Sequence, residues 1–140
     1  MEESVTDARL YPHDVRDYGI LELAYMGDAV LESFVREHVI KTGGVTKPGE
    51  LVKASRAFVT LEAQSDAVER LLPLLAEDEE AVFKRGRNAK THFSPKHGGI
   101  LQYRRATGFE ALMGFLYLDG RLDRAKALFL AAYAIERNEN

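Results

Sequence analysis

Apolar residues recur at helical spacing along most of this chain, and nowhere at the two-residue alternation of a half-buried strand. Ile20, Leu23, Ala24, Gly27, Leu31, Phe34 and Val35 keep a 3.6-residue rhythm, which predicts a helix from residue 17 or 18 to 41. Gly43-Gly44 then supplies a C-terminal stop. Thr46 as N-cap, Pro48 near the first helical position and Glu50 in the first turn predict a second helix to about residue 56. A third is expected over 59–72, halted near Pro73. The acidic run Glu77-Asp78-Glu79-Glu80 suits the positive end of a helix dipole, so a short helix carrying Ala81, Val82 and Phe83 should run into Gly86. Residues 86–101 read as a loop, rich in Gly, Asn and Ser-Pro. A helix apolar nearly all round follows from 101 or 103 to 118, broken by Asp119-Gly120, and an amphipathic one closes the chain over 121–137. The expected architecture is all-α: a compact bundle of about six helices in one domain over 17–140, after an irregular lead-in over 1–16.

Composition narrows the class. Of 140 residues, 46% are hydrophobic and 29% charged, enough for one real core in a protein that stays in solution. The absence of cysteine excludes a disulfide framework, thiolate zinc sites and cysteine nucleophiles. No apolar run approaches the roughly 20 residues of a membrane helix. The acidic opening Met1-Glu2-Glu3-Ser4 lacks the order of a signal peptide, so a cytoplasmic protein with no membrane contact is expected.

The net charge of −3 hides a strong asymmetry. Residues 84–105 hold Lys84, Arg85, Arg87, Lys90, Lys96, Arg104 and Arg105 with no acid, while the rest of the chain is strongly acidic. Such a stripe points to a polyanion contact, although a solvated charged loop has the same composition.

Two acids stand out against this background. Asp28 lies in the apolar run Leu21 to Leu31, within the apolar arc of the first helix, and Glu110 is the only charge between Phe109 and Leu118. Burying a carboxylate is costly unless it is paired, hydrogen-bonded or bound to a cation. Gly27 precedes Asp28 and Gly114 follows Glu110 by one turn, so a crossing of the two helices at these glycines would bring the acids face to face. A magnesium ion between them would relieve their repulsion, since hard oxygen ligands and retained water are its preference. A purely structural pair, with Asp28 capping a neighbouring helix and Glu110 meeting Arg104 or Arg105, fits the pattern as well. Glu32, one turn beyond Asp28, fits either a helper role or a surface pair with Arg36, as Glu37 does with Lys41.

The block Leu23-Ala24-Tyr25-Met26-Gly27-Asp28-Ala29-Val30-Leu31-Glu32 resembles the signature helix of the ribonuclease III family. Phe109 to Asp119 resembles that family's second acidic helix. Lys84-Arg85-Gly86-Arg87-Asn88-Ala89-Lys90 and Thr46-Lys47-Pro48 are similar to segments of its Mini-III branch, which lacks a double-stranded-RNA-binding domain. The likeness spans about residues 18–135. It implies an all-α homodimer that cuts double-stranded RNA with Mg2+, leaves 5′-phosphate and 3′-hydroxyl ends, and matures precursor 23S ribosomal RNA. It also implies Asp28 and Glu110 as catalytic metal ligands. Ala24 and Thr107 stand where full-length ribonuclease III usually carries acids, which leaves the number of metal ions open. On this reading Lys84, Arg85, Arg87, Lys90 and Lys96 contact RNA, with Arg104 and Arg105 as further candidates; Phe93 could stack on bases, while His92 and His97 fall outside the chemistry. Three alternatives remain: a non-catalytic structured-RNA-binding protein, a helical phosphohydrolase using His13-Asp14 or the Glu77/Glu80 spacing, and a helical adaptor.

Overall fold

The computed structural model describes residues 10–11, 13–90 and 99–135. Among these residues there are six α-helices and no strand: α1 Ile20–Thr42, α2 Pro48–Val59, α3 Leu61–Leu71, α4 Glu77–Arg87, α5 Ile100–Leu118 and α6 Leu122–Ala132. Short 3-10 turns precede α1, at Val15–Asp17, and follow α3, at Leu72–Leu74. The all-α bundle expected from the sequence is therefore observed. Among the described residues no helix is long and apolar enough to cross a membrane.

Local chemistry sets the helix ends. A Glu or Gln three positions into the helix accepts from the N-cap amide: Glu22 from Gly19 at 2.8 Å, Glu79 from Ala76 at 2.7 Å and Gln102 from Gly99 at 3.3 Å. Thr60 caps α3 by accepting from the Ala63 amide at 3.1 Å. Gly43 and Gly120 close α1 and α5 with φ of 80° and 76°, a region that costs a side chain energy.

Several boundaries differ from expectation. Helix α1 starts at Ile20 because Asp14 nucleates a separate 3-10 turn, accepting from the Arg16 amide. Lys47, not Thr46, is the N-cap of α2; Pro48 at the first position fixes the start without a side-chain cap. That helix runs on to Val59 until the extended backbone of Thr60 interrupts it, so the second and third helices meet later than the apolar pattern indicated. Helix α6 ends at Ala132, where Tyr133 anchors the chain by donating its hydroxyl to the Phe58 carbonyl at 2.7 Å.

The core is organised around α5. Phe109, Leu112, Met113 and Leu116 are fully buried, and α1, α3, α4 and α6 all pack against this helix. Contact with α1 is backbone to backbone: a Cβ at Gly27 would sit 1.5 Å from the Glu110 carbonyl oxygen, and one at Gly114 would sit 1.8 Å from that of Leu23. Helix α4 approaches from another side through Gly86, whose added Cβ would lie 2.9 Å from the Gly108 Cα and 3.1 Å from the Thr107 oxygen.

An ion pair between a buried acid and a half-exposed arginine ties α4 to α6. Glu79 is only 1% exposed, and Arg124 grips both its oxygens at 2.8 and 2.9 Å while donating to the Leu74 carbonyl at 3.0 Å. Both carboxylate oxygens are satisfied, the condition under which a buried charge is tolerated.

Candidate active site and nucleic-acid interface

The glycine crossing places the two singled-out acids together. Gly27 turns its bare Cα toward the Glu110 carbonyl and the Gly114 amide, so Asp28 emerges beside Glu110 at the edge of the contact. Their carboxyl groups are in hydrogen-bonding contact. Burial, then the neighbouring Asp28 charge, then that hydrogen bond push the Glu110 carboxyl up to about 8. The protonated form of Glu110 is therefore favoured by its surroundings.

The two acids are not equally enclosed. Glu110 is half-buried, whereas Asp28 is exposed on this chain, contrary to the expectation from the apolar arc. The reason is rotational: Leu23, Gly27, Val30, Leu31 and Phe34 define the buried stripe of α1, and Asp28 stands at its margin with exposed Tyr25 and Ala29. The pair forms a half-open rim, with one carboxyl in a low-dielectric wall and the other facing solvent.

Of the structural alternatives for Glu110, neither arginine supplies a partner. Arg105 is drawn to α3 instead, 2.5 Å from Glu69 and 3.2 Å from the Ser65 hydroxyl. Among the described residues no third His, Cys, Asp or Glu joins Asp28 and Glu110 in a cluster able to hold a metal. Ala24 is buried on the core side of α1, and the Thr107 hydroxyl donates to the Tyr103 carbonyl at 3.1 Å. What remains is a two-carboxyl, all-oxygen donor set whose repulsion is held off by one shared proton. A hard divalent cation fits such a set, with most of its remaining ligands drawn from water or phosphate oxygens.

The remaining sequence candidates divide. Glu32 pairs with Arg36 at 2.6 Å on the surface of α1, the bland alternative of the two, and Glu37 meets Lys41 at 3.4 Å and also Lys126. Lys84 is engaged by Glu80, one turn back in α4, at 2.6 Å. Arg105 is held against α3 as described, an inward role that charge counting could not separate from a surface one. Arg85, Lys90 and Arg104 are exposed, and Arg87 is half-buried with its Nε donating to the Asn88 side chain at 3.1 Å. Lys96, Phe93, His92 and His97 lie outside the described residues. Because Gly86 lets α4 rest against Thr107 and Gly108, the cationic end of α4 is anchored on the helix that carries Glu110.

The sequence reading missed two features. Lys90 and Arg104 share a cleft with Asn88, Ala89 and Ile100, neutral residues that give no charge signal. Tyr18, Leu21, Glu22, Tyr25 and Leu118 form a second, mostly apolar hollow beside Asp28, in which Tyr25 is 85% exposed. The exposure of Tyr25 was concealed because it lies in the same apolar run as the core residues.

Known proteins decide the family. The Ribonuclease III domain family matches residues 21–121, which include both acids and the cationic end of α4. The chain belongs to the ribonuclease III family. It is 44% identical over 120 residues to Mini-ribonuclease 3 of Brevibacillus brevis, covering 86% of this chain and 89% of that protein. It is 43% identical over 120 residues to Mini-ribonuclease 3 of Symbiobacterium thermophilum, covering 85% and 92%. A Fusobacterium nucleatum protein of known crystal structure superposes with a TM-score of 0.72 at 32% identity, over 83% of this chain and 92% of that one. Membership establishes a ribonuclease and sets aside the phosphohydrolase, the adaptor and the non-catalytic RNA binder.

Proposed function

We propose that this ribonuclease hydrolyses double-stranded RNA with magnesium at the Asp28–Glu110 pair, leaving 5′-phosphate and 3′-hydroxyl ends. The observation that carries the reading is the juxtaposition of two carboxyl groups at the glycine crossing, Glu110 in the wall of the core and Asp28 exposed beside it; burial and the Asp28 charge oppose ionisation of Glu110, and a divalent cation there would hold both carboxylates ionised. Bound there, the metal would supply an activated water and stabilise charge on a phosphoryl oxygen. Asp28 and Glu110 hold the metal site. The surrounding apolar core keeps Glu110 fixed and dry on its inner side, while the exposed Asp28 leaves the other side open to a phosphodiester. Arg85, Arg87, Lys90 and Arg104 neutralise neighbouring phosphates and orient the strand. Lys84 and Arg105, already paired within the protein, contribute less to RNA.

Duplex RNA fits because a surface of exposed cations suits an A-form helix, recognised mainly by shape and backbone. The chain works as a homodimer, so that two sites address both strands. The apolar hollow at Tyr18, Leu21, Tyr25 and Leu118 is its interface, since an exposed apolar patch next to a charged site is a mark of association. We further propose that it acts in the cytoplasm on precursor 23S ribosomal RNA, as the family resemblance of its sequence implies.

Incubation of defined duplex RNA with wild type, Asp28→Asn and Glu110→Gln, with and without magnesium, tests this, followed by end mapping. Scission only in wild type with magnesium, yielding 5′-phosphates, is expected. Equal cleavage by Asp28→Asn would remove the assignment of that residue.

A further inference from the structure

We propose that Lys90 and Arg104 grip one and the same phosphate of the RNA strand, in a cleft separate from the site of scission. This rests on the RNA reading above and sharpens it, because it separates two cations that share one cleft from Lys84 and Arg105, which are paired within the protein.

Lys90 follows the end of α4, and Arg104 lies in the second turn of α5. Both line a cleft of about 450 Å³ with Asn88, Ala89 and Ile100. Both are exposed, and among the described residues neither has a hydrogen-bond or ion-pair partner. Their neighbours in the stripe differ: Lys84 is taken by Glu80 and Arg105 by Glu69 and Ser65. Two unpaired cations converging on one cleft of a protein with net charge −3 is an arrangement that calls for an anion. The positive end of the α5 dipole opens at Ile100, on the wall of the same cleft, and adds to the field. An arginine fork and a lysine point charge suit the oxygens of one phosphodiester.

The subsite is not where the chain is cut. Arg104 precedes Glu110 by six residues on α5, which places it about 9 Å back along the axis and about 120° around it. The phosphate it holds therefore neighbours the scissile one and fixes the register in which the strand enters.

The test measures affinity for a short blunt RNA duplex by fluorescence anisotropy, in chelator so that no cleavage occurs, across a series of salt concentrations. Each phosphate neutralised contributes about 0.9 to the slope of log affinity against log salt. Removing both cations from one phosphate, in the double variant Lys90→Ala with Arg104→Ala, is expected to lower the slope by about 0.9. Lys90→Ala and Arg104→Ala singly should weaken binding but leave the slope nearly unchanged, because the remaining cation still neutralises the shared phosphate, and all variants should melt as wild type does, since neither side chain pairs among the described residues. A loss near 1.8 in the double variant would mean two separate phosphates and would overturn the shared subsite, as would an unchanged slope. Absence of any duplex affinity in the wild-type protein would overturn the RNA reading itself.

Discussion

The proton on Glu110 ties stability to pH in a direction opposite to that of most carboxylates. Its group rises from 4.5 to about 8 on folding, because burial and the Asp28 charge oppose ionisation. Between these values the folded chain holds a proton that the unfolded chain has lost. Unfolding free energy therefore falls as pH rises, by up to 1.36 kcal/mol per unit. The stabilising difference is complete below about 4.5 and lost once pH passes about 8, a total on the order of 5 kcal/mol for the metal-free protein. Glu110→Gln keeps the shape and cannot ionise. Urea unfolding of both proteins in chelator, from pH 5 to 9, isolates the effect as the difference between the two curves. Wild type should lose stability relative to Glu110→Gln across that range, with the steepest part below pH 8. Parallel curves would show that Glu110 ionises freely in the folded protein and would remove the shared proton from the argument.

Other substitutions probe the frame that holds the pair. Gly27→Ala or Gly114→Ala places a Cβ 1.5 or 1.8 Å from a main-chain oxygen that no rotamer change can move; the loss should exceed the roughly 1–3 kcal/mol of ordinary overpacking, read as failure to give a cooperative melt. Arg124→Ala strands the buried Glu79 and should cost about 3–5 kcal/mol by denaturant unfolding. Arg124 holds Glu79 below its usual range, so the wild-type advantage should shrink as pH falls through the folded value of that group. Thr60→Ala removes the α3 cap and should cost about 1 kcal/mol in the same assay, with RNA cleavage unchanged.

The helices were legible because the apolar period is strong and glycines and prolines punctuate it. The crossing of α1 and α5 was legible for a related reason: two glycines at matching places next to two misplaced acids leave few arrangements. The exposure of Asp28 was not, since one sequence cannot say whether a residue at the edge of an apolar arc falls inside or outside it; about 100° of rotation per residue decides. The fate of the cations was hidden for a different reason. Lys84 and Lys90 look alike in a charge count, and only the fold reveals that an acid pairs with the first from one turn back and that, among the described residues, none pairs with the second. Arg105 meets Glu69 from a helix 36 residues away, a partner that no local window contains.

The unequal burial of the two acids has a consequence for how the site works. A symmetric, solvated pair of carboxylates would bind a cation loosely and would lose little on releasing it. Here Glu110 without a counter-charge resists ionisation until about pH 8, so under the proposed reading each binding event below that pH expels a proton and affinity should climb with pH until about 8. The same cation relieves the stress that high pH places on the fold, so magnesium should raise the melting temperature more at pH 8.5 than at pH 6. A catalytic site that weakens its own scaffold when empty is the expected result of placing a carboxylate in a core wall, and the rigid glycine crossing on which α1 and α5 meet is what lets the fold tolerate it. A magnesium effect on melting that is equal at both pH values would separate metal binding from the Glu110 proton and break this link between chemistry and stability.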